Sequence, residues 1–153
     1  MKRSTLVDII SCLFILLFLY TGLFKELNYE SFKAALEKSA KISMFAPFLA
    51  RAVPLIELSI TACLLVPLIS SGSRLRNWGL YSAAVLMLIF TVYVWTILKF
   101  SHGLPCTCGG IIQQMNWHQH LYFNAVFTAL AITAIWLNKH ADQHVEKKLV
   151  LNG

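Results

Sequence analysis

Residues 77–98 read NWGLYSAAVLMLIFTVYVWTIL, without one Asp, Glu, Lys or Arg. A helix that crosses the hydrocarbon core of a bilayer needs about 20 mainly apolar residues, and this stretch supplies them unaided. Working outward, three further stretches match it. Residues 5–24 carry only Asp8, residues 42–69 only Arg51 and Glu57, and residues 121–137 are apolar apart from Asn124 and two threonines. The other way to span a membrane, a closed β-barrel, shows as short alternating segments; these runs are continuous and too long for it. The expected fold is an all-α membrane protein: one domain over residues 1–153, with four transmembrane helices at about 5–24, 46–69, 77–98 and 120–138 packed as a bundle.

Composition agrees. Of 153 residues, 58% are hydrophobic and 13% charged, against about 25% charged in an average soluble domain. Disorder needs the opposite balance. The net charge is +6, but the basic residues are scattered and form no stripe, so the expected partner is the lipid bilayer and not nucleic acid. Met1-Lys2-Arg3 ahead of an apolar run has the outline of a signal peptide, yet the run reaches Phe24 without a small-residue cleavage site. Ile9-Ile10-Ser11-Cys12 precedes most of the apolar core, where a lipoprotein box would follow it. Cys12 and Cys63 read as small packed side chains.

Orientation is weakly written. Lys2, Arg3, Arg74, Arg76, Lys139, Lys147 and Lys148 fall on one side; Lys25, Lys33, Lys38, Lys41, Arg51 and Lys99 fall on the other. The positive-inside rule, helped by the compact Arg74/Arg76 turn and the basic tail, favours both termini in the cytoplasm of a multi-pass protein of the bacterial inner membrane. In residues 28–41, Phe32, Ala35, Leu36 and Ala40 recur at helical spacing, with Lys33, Glu37, Lys38 and Lys41 between them. That pattern predicts a short amphipathic helix after the first span, lying on the membrane surface or serving as a solvated connector.

The chemistry concentrates after the third span, in Leu104-Pro105-Cys106-Thr107-Cys108-Gly109-Gly110. Pro105 fixes the entry to a turn; Gly109 and Gly110 admit unusual backbone angles and the close approach of a partner. Three readings of the cysteine pair stay open. A disulfide between residues two apart sits near the upper limit for bridging, and strained, exposed disulfides are the labile or catalytic ones. Alternatively, Cys106 and Cys108 join His118 and His120 in capturing a soft ion such as copper or zinc. The third reading is an inert pair, in a non-catalytic subunit whose loop only docks another protein. If the loop lies outside the cytoplasm, it faces the side where disulfides persist.

Trp117 and Tyr122 suit a membrane interface. His120 and Asn124, four apart, share a helix face and would point at the bundle from the outer end of the fourth span, whereas His118 lies on another face. A histidine near a thiol raises its thiolate fraction. Glu57, well inside the second span, does not share a face with Arg51. It needs a partner from another helix, with Tyr20, Lys25 and Tyr93 as candidates, or it carries a proton. Asp8 and Lys25, near the ends of the first span, can snorkel to water. Pro47, Pro54 and Pro67 would bend the second helix or end it. No cofactor is called for with certainty; a quinone is the one candidate, although no residue in the sequence demands it.

Tyr20-Thr21-Gly22-Leu23-Phe24-Lys25 at the end of the first span, with Pro54 and Glu57-Leu58 in the second, resembles the DoxX-like superfamily of four-helix membrane proteins. Pro105-Cys106-Thr107-Cys108-Gly109-Gly110, followed by Trp117-x-x-His120-Leu121-x-Phe123-Asn124, resembles its MauE branch, the methylamine utilisation proteins. The resemblance covers nearly the whole chain. It implies a role in the processing or disulfide formation of a disulfide-rich protein of methylamine metabolism. The chain would then be a thiol–disulfide oxidoreductase or an accessory subunit of one, with Cys106 and Cys108 as the exchanging pair. The implied partner is a periplasmic or membrane protein with thiols or disulfides.

Overall fold

The computed structural model of the chain describes residues 3–38, 42–69, 73–100 and 116–151. Within them are α1 (Arg3–Leu27), α2 (Tyr29–Glu37), a 3₁₀ turn (Ser43–Phe45), α3 (Ala46–Ile69), α4 (Ser73–Phe100) and α5 (Trp117–Leu151). Four segments are long and apolar enough to cross a membrane: Thr5–Leu27, Ser43–Ile69, Arg74–Lys99 and Trp117–Lys139. The fourth begins at Trp117, three residues before the expected start, and its helix runs on to Leu151. Pro54 and Pro67 lie inside α3 without ending it. Pro47 occupies the first turn, where a missing N–H breaks no intrahelical bond.

The four long helices close into a ring: α1 packs on α3 and α5, and α4 packs on the same two. Successive long helices are thus antiparallel neighbours, the arrangement that short connections favour. The near end carries Arg3, Ile69 and Ser73, and the far end carries Leu27, Ala46 and Trp117. The near half is solid. Phe14 and Phe18 of α1 stack at 5.7 Å, and Phe14 meets Phe127 of α5 edge-on at 5.4 Å, a favoured aromatic geometry. Leu64, Leu80, Ala83, Ala131 and Ala134 fill the rest. Gly79 lets α4 close on α3, because a Cβ there would lie 2.7 Å from Leu64 Cδ2. Close backbone approach at small residues is the usual route to helix packing in lipid, where burial against lipid drives nothing.

A polar clamp ties the near end together. Arg76 Nη1 lies 3.3 Å from Asp8 Oδ1, and Arg76 Nη2 donates to Asn138 Oδ1 at 2.6 Å. The Asn138 amide in turn donates to Asn77 Oδ1. Asp8 is therefore bound across the ring by Arg76, although it keeps contact with solvent. Cys12 is a correction: it is exposed on the outer face of α1 and is no part of the core. Cys63 is partly buried. Arg51 is exposed and rests on the Tyr29 ring at 5.1 Å.

The amphipathic helix forms as α2. Phe32 and Leu36 of its apolar stripe pack with Ala46 and Ala50 at the start of α3, while Ala35 is half-buried and Ala40 lies outside the described residues. The expected helix ended at 41; α2 ends at Glu37, and residues 39–41 lie outside the described residues.

Replacing Gly79 by Leu will force α3 and α4 apart. We expect a loss of about 1–3 kcal/mol, read as a lowered midpoint of thermal unfolding of the detergent-solubilised protein.

Candidate functional site

Above the solid near half, the ring is hollow. A cavity of about 300 Å³ occupies the far half, walled by all four long helices and capped by Phe32 and Leu36 of α2. Most of its wall is aliphatic or aromatic. Its polar groups are Thr21 and Lys25 from α1, Glu57 from α3, Tyr93 from α4, and His120 and Asn124 from α5.

Helix geometry explains why Lys25 and Glu57 meet. Side chains tilt toward the N-terminus of their own helix. Lys25 is near the C-terminus of α1, so its side chain leans back into the bundle. Glu57 sits on antiparallel α3, about 16 Å along from its start by helical rise, and leans the opposite way. Lys25 Nζ lies 2.5 Å from Glu57 Oε1. Only 5% of the Lys25 side chain and 1% of the Glu57 side chain are exposed. Of the candidates for the partner of Glu57, the lysine is thus the ion-pair partner. Snorkelling is corrected: the ammonium points inward, flanked by the rings of Phe90 at 5.4 Å and Phe32 at 5.7 Å, within cation–π range. Gly22 makes room for the pair, since a Cβ there would already stand 3.2 Å from Leu58 Cγ and 3.4 Å from Glu57 Cβ.

Three buried polar atoms of the cavity, Thr21 Oγ1, Glu57 Oε2 and Asn124 Nδ2, have no hydrogen-bond partner of good geometry among the described residues. The Thr21 hydroxyl stands beside the Glu57 carboxylate and is the nearest thing it has to a second donor. Buried polar groups are normally satisfied, whereas this cavity is lined by one unmet donor, Asn124 Nδ2, and one unmet acceptor, Glu57 Oε2, among the described residues. Asn124 is 3% exposed; Thr128, one turn on, bonds back to the Asn124 carbonyl and meets Thr91 of α4 at 3.3 Å, which fixes that face of α5. His120 and Asn124 line the cavity together, whereas His118 is exposed, so the two histidines do not converge. Pro105, Cys106, Cys108, Gly109 and Gly110 lie outside the described residues. Among the described residues, no three His, Cys, Asp or Glu side chains come together as a metal site.

Sequence reasoning put His120 and Asn124 on one helix face and marked Glu57 apart from them, and it missed Thr21 as a site residue. The signal for Thr21 was its place beside Gly22, one turn before Lys25 on the same helix.

A family model described as Methylamine utilisation protein MauE matches residues 3–137. No curated protein and no solved structure matches the chain.

Removing one member of the buried ion pair strands the other. Lys25→Met or Glu57→Leu alone should each cost about 3–5 kcal/mol, and the double variant should recover most of that loss. A thermal double-mutant cycle in detergent measures this; additive losses would show that the pair is not coupled.

Proposed function

Because the chain belongs to the MauE family, we propose that its Cys106–Cys108 loop carries out thiol–disulfide exchange with a partner protein outside the cytoplasm, and so serves that partner's maturation. The setting is the bacterial inner membrane, with both termini cytoplasmic. The family's description ties it to methylamine utilisation, so the partner class is a disulfide-containing protein of that metabolism. The observation that carries the reading is the family match over residues 3–137, which takes in Pro105-Cys106-Thr107-Cys108-Gly109-Gly110.

The bundle adds a positional argument. The chain leaves α4 at Phe100 and re-enters at Asn116, both at the far end, above the cavity. His120 stands one turn from that re-entry. Residues 100–138 contain no Asp, Glu, Lys or Arg, so the polarity around the cysteines is histidine, hydroxyl and amide.

In the exchange, one thiolate attacks a sulfur of the partner's disulfide and displaces the other as a thiolate. The second cysteine then attacks the mixed disulfide. The products are a Cys106–Cys108 disulfide and a partner dithiol; run backward, the same steps oxidise the partner.

Cys106→Ser or Cys108→Ser should each accumulate a disulfide-linked adduct on non-reducing gels, and the double variant should accumulate none. A membrane-impermeant maleimide should label the reduced loop in intact spheroplasts. If neither single variant yields an adduct and both keep full function, the exchange role is wrong.

A further inference from the structure

We infer that the far-half cavity is a binding site for an uncharged lipid whose head carries a free hydroxyl, such as a diacylglycerol or a long-chain alcohol. The site stands on the cavity alone and is independent of the exchange reading.

The polar end selects the head. Asn124 Nδ2 is a buried donor without an acceptor, and Glu57 Oε2 a buried acceptor without a good donor. A hydroxyl both donates and accepts, so its proton suits the carboxylate and its lone pairs suit the amide. Charge excludes the commoner lipids. Among the described residues that line the cavity, Lys25 is the one ammonium or guanidinium, and Glu57 already holds it at 2.5 Å. The pair sums to zero. A phosphate or an ionised fatty acid beside it would sit in a low-dielectric space with no fixed cation free to meet it, and an unpaired buried charge is strongly unfavourable. A hydroxyl brings no charge.

The rest of the wall selects the tail. It is aliphatic and aromatic, with Leu17, Leu49, Val53 and Phe90 among its members. Water can satisfy orphan polar atoms at one end of a cavity, but an apolar remainder stays dry; a hydroxyl joined to a hydrocarbon chain covers both. The volume of about 300 Å³ lies at the low end for small-molecule pockets. It holds a head and the first part of a chain, and the remainder of the lipid must leave through the wall. The place for that is on α4. Ile89 lines the cavity and is 56% exposed within the membrane-crossing segment Arg74–Lys99. The wall there is one side chain thick, with hydrocarbon beyond it.

The test uses the full-length protein in nanodiscs of phosphatidylethanolamine and phosphatidylglycerol, with a diazirine-bearing hexadecanol as photoprobe and peptide mapping of the label. The label should fall on Ile89, Phe90 and Phe123 and be competed by hexadecanol and by dioleoylglycerol. The methyl ether of hexadecanol, which keeps the acceptor and loses the donor, should compete about tenfold less well, the equivalent of one hydrogen bond. Asn124→Leu should weaken hexadecanol by a similar factor. Val53→Trp, which fills the apolar part, should remove the label from those residues while the protein keeps its helical circular dichroism. Mass spectrometry of lipid extracted from protein purified from its own membranes separates the two sources; a co-purifying diacylglycerol or a co-purifying long-chain alcohol supports the site. Label scattered over outward-facing residues overturns it, as does a cavity holding phospholipid that hexadecanol does not displace. An ether that competes as well as the alcohol overturns recognition of the hydroxyl. Palmitate competing more strongly than hexadecanol overturns the requirement for an uncharged head.

Discussion

Everything in the far half is arranged around two opposite charges held in a medium that barely screens them. Bringing an ammonium or a carboxylate out of water costs several kcal/mol per ion even after relaxation, and within a span there is little water to soften it. Lys25 and Glu57 meet that demand with each other. Their contact joins α1 to α3 beside the close approach at Gly22, and two phenylalanine rings stand against the ammonium. α2 follows from the same demand: its Phe32 and Leu36 cap the cavity on the side where water would otherwise reach the pair.

The architecture was legible because charge is so sparse. A run such as residues 77–98 has one physical destination, and all four spans form. What could not be read was which side of each helix faces inward. In a soluble bundle, an apolar stripe answers that question; in lipid, core and surroundings are equally apolar, so Cys12 looked like a core residue and lies on the outside. The same blindness hid the near-end clamp. Arg76 was legible as a topological marker, while its bonds to Asp8 and Asn138 depend on helix rotations that residue types alone do not encode.

Of the candidate site, the members were visible and their relations were not. Glu57 stood out because a carboxylate in a span must have a reason, and Lys25 appeared among three possible partners; the backward tilt of helical side chains decides for it. His120 and Asn124 could be put on one face by spacing. Their joining Glu57 and Thr21 around one hollow is a property of the closed ring, which no local pattern contains. The amphipathic stripe of α2 was equally clear, but periodicity names a buried face without naming what buries it.

The contrast between the two halves of the bundle also has an electrical meaning. Phe14, Phe18, Leu64 and Leu80 pack the near half with apolar side chains, and the Arg76 clamp ties its rim. The buried charges of Lys25 and Glu57 lie in the far half, with apolar side chains between them and the near-end clamp. The molecule is thus divided along its length: a hollow that holds Lys25, Glu57, His120 and Asn124 in one half, and packed phenylalanine and leucine side chains in the other.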